Sequence, residues 1–141
     1  MSAQKEKKKV LFLCTGNSVR SQMAEGFLRA FGGDRFEVKS AGTAPAGINH
    51  NSIEVMKEAG IDISGQSSDR LERQMLDWAD LLITLCGDAR ENCPVVPAGV
   101  EKRHWPLDDP SHGDGTDSDI IERFRKTRDQ IREYVKELTA E

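Results

Sequence analysis

The chain has 141 residues, with 20 Lys and Arg against 24 Asp and Glu for a net charge of −4. That suits one domain with its own core and argues against a general nucleic-acid or membrane-surface binder. No stretch approaches the roughly 20 apolar residues of a membrane span, and the start "MSAQKEKKK" lacks the apolar core of an export signal.

Residues 1–8 are expected to form a solvated arm, with one domain over 9–141. "VLFL" (10–13) is a fully apolar run, as a strand covered on both faces would be. It is followed at once by Cys14. Met23, Ala24, Phe27, Leu28 and Phe31 recur at helical spacing over 20–31, before Gly32-Gly33 stops the helix. "FEVKSAG" (36–42) reads as a second strand. Short helices are expected over 51–60 and 70–79, and Met23 and Met56 as core residues. "LLITL" (81–85) is a third buried strand and "EKRHWPL" (101–107) a weaker fourth. After the turn-rich "DDPSHGDGTD", Ile120, Phe124, Ile131, Tyr134, Val135 and Leu138 form the apolar stripe of a long final helix.

This alternation predicts an α/β fold of one domain in three layers, a central four-stranded parallel sheet with helices on both faces. Ligands in such sheets bind beyond the carboxyl ends of the strands, where the strand order reverses. Cys14 is expected just past strand one, Cys86 just past strand three, and Asp108 and Asp109 just past strand four.

The loop "CTGNSVRS" (14–21) carries the chemistry. A strand-to-helix loop turns several backbone N–H groups toward one point, and the helix dipole adds to their attraction for anions. Thr15, Gly16, Asn17, Ser18, Val19, Arg20 and Ser21 are thus candidate oxyanion-binding residues. Gly16 permits the tight path, and the planar fork of Arg20 can hold two oxygens of a tetrahedral oxyanion at once. The same donors favour a negative sulfur at Cys14, the form that attacks. Ser21 is placed to donate to that sulfur and help it leave.

With no export signal, the odd set Cys14, Cys86 and Cys93 reads as thiols of a reducing compartment, and the expected location is cytoplasmic. The spacing between Cys86 and Cys93 does not match a zinc knuckle. His50, His104 and His112 show no ligand spacing and are expected to pack or cap.

"VLFLCTGNSVRSQMAEGFLR", with its C-x5-R-S loop, resembles the low-molecular-weight protein tyrosine phosphatase family. "SAGT" at 40–43, "GIDIS" at 60–64 and the Asp-Pro at 109–110 extend the likeness through nearly the whole chain. Within that fold the chain is similar to the arsenate reductases coupled to thioredoxin, through "RSQMAEG", "TLCGDARENCP" and "HWPLDDP". The resemblance implies arsenate as substrate, Cys14 as nucleophile and Asp109 as general acid, with Asp108 the competing candidate. It implies Cys86 and Cys93 as resolving and shuttle thiols, and thioredoxin or a similar thiol as reductant. If strands one and three are neighbours, their ends lie about 4.8 Å apart, within the ~4.4–6.8 Å between α-carbons that a disulfide spans.

No tightly bound cofactor is expected. Some reductases of this type bind potassium at positions matching Asn17, Glu25, Ser40 and Asp69, although "DRLE" also makes Asp69 a candidate N-cap. Position 19, often cysteine in these families, is Val19, so no second thiol sits in the loop. The tyrosines that phosphatases often carry after Asp-Pro are replaced by "SHGDG". A phosphotyrosine phosphatase is the alternative enzyme, and a non-catalytic oxyanion sensor the alternative of another class.

Overall fold

The computed structural model describes residues 7–85, 99–111 and 113–141. Cys86, Cys93, His112 and most of the expected N-terminal arm lie outside these described residues. The elements run β1 (Lys8–Cys14), α1 (Arg20–Gly32), β2 (Phe36–Gly42), α2 (His50–Glu58), α3 (Arg73–Trp78), β3 (Leu81–Thr84), β4 (Glu101–His104) and α4 (Asp117–Thr139).

The four strands are all parallel, in the order β2-β1-β3-β4. The chain leaves β1 for β2 on one side and later returns to the other side for β3. The strand order therefore reverses at the carboxyl end of β1, where Cys14 stands.

Period-two alternation along β1 divides the core. Val10, Phe12 and Cys14 face a cluster with Met23, Phe27 and Leu28 of α1, Val55 and Met56 of α2, and Phe124, Ile131 and Val135 of α4. Leu11 and Leu13 face a smaller cluster with Leu76 of α3, Ala79 and Leu82. Helices thus cover both faces, which is why "VLFL" is apolar throughout. Each fully buried Leu or Phe here contributes about 1.5–3 kcal/mol relative to exposure.

Four expectations need correction. Cys14 is the last residue of β1, not the first of the loop, because it still pairs with Gly42. The third helix starts at Arg73 rather than 70. Arg70 forms a β-bridge with Gly42, and the Leu71 N–H donates to the Gly42 carbonyl at 2.9 Å, which keeps this stretch extended. Glu72, not Asp69, therefore precedes that helix. The last strand stops at His104. The Trp105 N–H still donates to Thr84, but Pro106 has no N–H to continue the ladder. Phe31, expected on the buried stripe of α1, is 41% exposed and leans on Phe27 at the rim. Met23 and Met56 are core residues as expected.

Candidate active site

Beyond the end of β1 lies a cavity of about 860 Å³. Its floor is Cys14, Thr15, Gly16, Ser18, Val19 and Arg20. One wall is the segment 46–49, and the other holds Leu107, Asp108 and Asp109.

Two rails hold the loop. Segment 44–49 runs alongside it: Ala44, Ala46 and Asn49 donate backbone N–H groups to the carbonyls of Thr15, Gly16 and Ser18 at 2.8, 2.9 and 3.0 Å. From the next strand, Gly42 comes so close that a Cβ there would stand 2.6 Å from the Thr15 carbonyl and 2.8 Å from the Asn17 nitrogen. Only glycine fits, a requirement that "SAGT" displays without explaining. Asn17 turns the loop in the left-handed region at φ +43°, a conformation that asparagine tolerates better than most residues.

Asn17 is fully buried, and its amide orientation follows from its partners. The Asp69 N–H can only donate, so it fixes Oδ1 as its acceptor at 2.7 Å and leaves Nδ2 to donate to Ser21 Oγ, also at 2.7 Å. With its oxygen accepting, the Ser21 hydroxyl directs its proton at Cys14 Sγ, 2.9 Å away. A chain of donors therefore runs from Asp69 through Asn17 and Ser21 to the sulfur.

Arg20 opens α1 and is 7% exposed. Nη1 donates to the Leu107 carbonyl at 3.1 Å, and Nη2 lies 3.4 Å from Asp109 Oδ2. Nε is buried and unpaired among the described residues. A buried guanidinium donor without a partner costs about 1–3 kcal/mol or more.

Asp109 is the better placed of the two candidate acids. Its Oδ1 accepts from the N–H and hydroxyl of Ser111 at 2.9 and 2.6 Å, while Oδ2 faces Arg20. Asp108 is exposed on the same wall. The approach to Asp109 is anchored by Trp105, stacked on Tyr134 at 5.0 Å and tilted against Phe12 at 5.7 Å. Downstream, Arg123 of α4 donates to the carbonyls of Pro110 and Asp114 at 3.4 and 3.0 Å.

Asn17 with Asp69 and Ser40 with Glu25 form two bonded pairs, and the charge of Asp69 is felt at Glu25. Ser40 Oγ donates to the Glu25 carboxylate at 2.5 Å, and Asp69 takes Ser67 Oγ at 2.6 Å besides its backbone link to Asn17. Glu25 is 5% exposed. Burial pushes its carboxyl above the ordinary value of 4.5; Ser40 and Arg29 work against this shift, and the negative Asp69 adds to it. His104 packs as expected, with Nδ1 2.6 Å from Thr84 Oγ1, and His50 stands exposed at the start of α2. The site features that sequence reasoning missed are the 44–49 rail, the close approach of Gly42, and Gln22, whose side chain reaches the loop from α1.

Residues 9–141 match the low molecular weight phosphotyrosine protein phosphatase family. The chain belongs to that family. It is 48% identical over 132 residues to an arsenate reductase of Bacillus subtilis, spanning 94% of this chain and 95% of the relative. Among solved structures, an arsenate reductase in the phosphate-binding state superposes with a TM-score of 0.76 at 40% identity, over 94% of this chain and 97% of that one. A thioredoxin-dependent arsenate reductase of Corynebacterium glutamicum gives 0.73 at 31% identity, over 98% of this chain and 65% of that one. The phosphatase family thus accounts for the loop, and these members of it are named for a redox reaction. No described helix is long and apolar enough to cross a membrane.

Proposed function

We propose that this chain is an arsenate reductase acting in a reducing compartment, the cytoplasm. The observation that carries the first half-reaction is that Arg20, whose buried Nε is unpaired among the described residues, lines the same cavity as a sulfur held by Ser21. Loop amides and Arg20 bind arsenate. The Cys14 thiolate attacks arsenic, and Asp109 protonates the hydroxide that departs as water.

A phosphatase would finish with water. Arsenate must gain two electrons. The Cys86 thiolate attacks Cys14 Sγ, a sulfur–sulfur bond forms, and the sulfur–arsenic bonding pair stays with arsenic, which leaves as arsenite. Cys93 then attacks Cys86, releasing the Cys14 thiolate and leaving a Cys86–Cys93 disulfide for a thioredoxin-type dithiol. What supports this relay is the pairing of β1 with β3. The Leu85 N–H donates to the Leu13 carbonyl at 3.0 Å, so the residues just before Cys86 and just before Cys14 run side by side.

The test supplies arsenate, thioredoxin, thioredoxin reductase and NADPH, with aryl-phosphate hydrolysis measured in parallel. Arsenate-dependent NADPH loss over many turnovers is expected. Aryl-phosphate turnover without it would favour the phosphatase alternative, which rests on the shared loop.

Potassium fits behind the loop in the chemistry of the donors: four oxygen-bearing side chains, two of them carboxylates, one deeply buried. Asn17, Glu25, Ser40 and Asp69 would hold it, and its charge would offset theirs. Because the folded-state pKa of Glu25 is raised, the folded chain keeps a proton that the unfolded chain has released. The stability this group contributes is complete below about pH 4.5 and is lost as pH rises through the folded value. Glu25→Gln is therefore expected to flatten that loss, and potassium to relieve it in the wild type only. Thermal melts across pH, in potassium and in choline chloride, measure both; equal potassium responses in the two proteins would exclude Glu25 as a ligand.

A further inference from the structure

Thr15, Gly16, Asn17, Ser18 and Val19 each have their carbonyl tied by a protein donor. Backbone N–H groups tie four of them: Ala44 to Thr15, Ala46 to Gly16, Asn49 to Ser18 and, inside α1, Met23 to Val19. The fifth, Asn17, takes its donor from a side chain, Gln22 Nε2 at 3.0 Å. From this we infer that Gln22 is a positioning residue that locks the oxyanion-binding form of the loop.

Gln22 is fully buried in the first turn of α1. The two protons of Nε2 go to the carbonyls of Asn17 and Ser67, at 3.0 and 2.8 Å. Oε1 accepts from Gln66 Nε2 at 2.8 Å. Facing two carbonyls and one donor, the amide has a single satisfied orientation, so its position is strongly specified.

The loop contains no cis peptide bond. In a planar trans peptide the N–H points opposite to the carbonyl. Pulling the Asn17 carbonyl outward therefore turns the Ser18 N–H toward the cavity that Ser18 lines. Asn17 itself turns at φ +43°, a conformation asparagine tolerates better than most residues. From there the Asn17 side chain reaches Ser21 and, through it, Cys14. If the Asn17 carbonyl swung inward, it would present a negative oxygen to the anion and break the line to the sulfur. Gln22 does not touch the cavity; it acts through Asn17.

The inference rests on the loop binding oxyanions, not on the later redox steps, and the test separates the two. The probe is inorganic phosphate, read as protection of Cys14 from iodoacetamide by mass spectrometry. Wild type lacking protection would refute oxyanion binding itself. With wild type protected, Gln22→Glu and Gln22→Met are both expected to need at least tenfold more phosphate. Glu keeps the acceptor for Gln66 and loses both donors, so it removes the bonds to Asn17 and Ser67 while sparing the one to Gln66. Gln66→Leu, which leaves those donors in place, is expected to stay within threefold of wild type. Protection at wild-type concentrations in Gln22→Glu would overturn the lock. A purely structural role would instead lower the melting temperature of Gln22→Met without moving its phosphate response. If neither Gln22 variant folds, NMR of the wild type decides. The Gln22 side-chain amide protons should exchange slowly and shift with Ser18 on phosphate titration, and a Gln22 amide that stays fixed while Ser18 moves would overturn it.

Discussion

Cys14→Ser is expected to abolish both arsenate reduction and aryl-phosphate hydrolysis, by on the order of 10⁴- to 10⁶-fold, as removal of an essential nucleophile does elsewhere. A serine hydroxyl at this position remains protonated near neutral pH and forms no sulfur–arsenic bond. Cys93→Ser should behave differently. Phosphate chemistry needs only the loop, Arg20 and Asp109, so weak aryl-phosphate hydrolysis survives. Arsenate reduction stops after one turnover, because the oxidation remains between Cys14 and Cys86. Single-turnover arsenite release beside steady-state NADPH loss separates these outcomes. Sustained reductant-coupled turnover in Cys93→Ser would show that Cys93 is not the shuttle.

Arg20→Lys is expected to lower kcat/KM for arsenate and for aryl phosphates alike by ~10²–10³-fold, about 2.7–4 kcal/mol of transition-state stabilisation. Charge is retained, so the loss measures geometry. The guanidinium of Arg20 meets the Leu107 carbonyl and the Asp109 carboxylate with two different nitrogens, and the residue lines the cavity; an oxyanion held there adds a third direction. An ammonium is a compact point charge that cannot keep all three directions. Lysine would also loosen Asp109, whose second oxygen is held by Ser111. The effect should therefore appear in kcat as well as KM. A lysine variant within tenfold of wild type on both substrates would mean that charge alone matters at this position.

The two halves of the proposed reaction depend on different parts of the fold. Oxyanion capture belongs to the loop and its rails, which the first core cluster supports from behind through Cys14 and Val19. Electron transfer depends on β3 lying beside β1, with Leu85 bonded to Leu13. A single strand-order reversal brings both to one edge of the sheet.

Much of this was legible in the chain itself because the signals are local. The apolar run 10–13, the spacing from Met23 to Leu28 and the C-x5-R-S loop each act within a few residues, where backbone geometry and burial dictate the outcome. Cys14, Arg20 and Ser21 could be named as candidates on that basis. Tertiary structure alone decided what needed two distant segments. Asp109, which the resemblance already favoured over Asp108, gains its contact with Arg20 at 3.4 Å only in the fold. The start of α3 moved to Arg73 because Gly42 drew Arg70 and Leu71 into an extended bridge. Asp69 proved to be a backbone donor to Asn17 rather than a helix cap. Gln22 reads in sequence as one more polar residue of an amphipathic helix; only the folded loop places a carbonyl where its amide ends. Local pattern sets which elements form, whereas pairings between remote residues are chosen by packing and by the requirement that buried polar groups find partners.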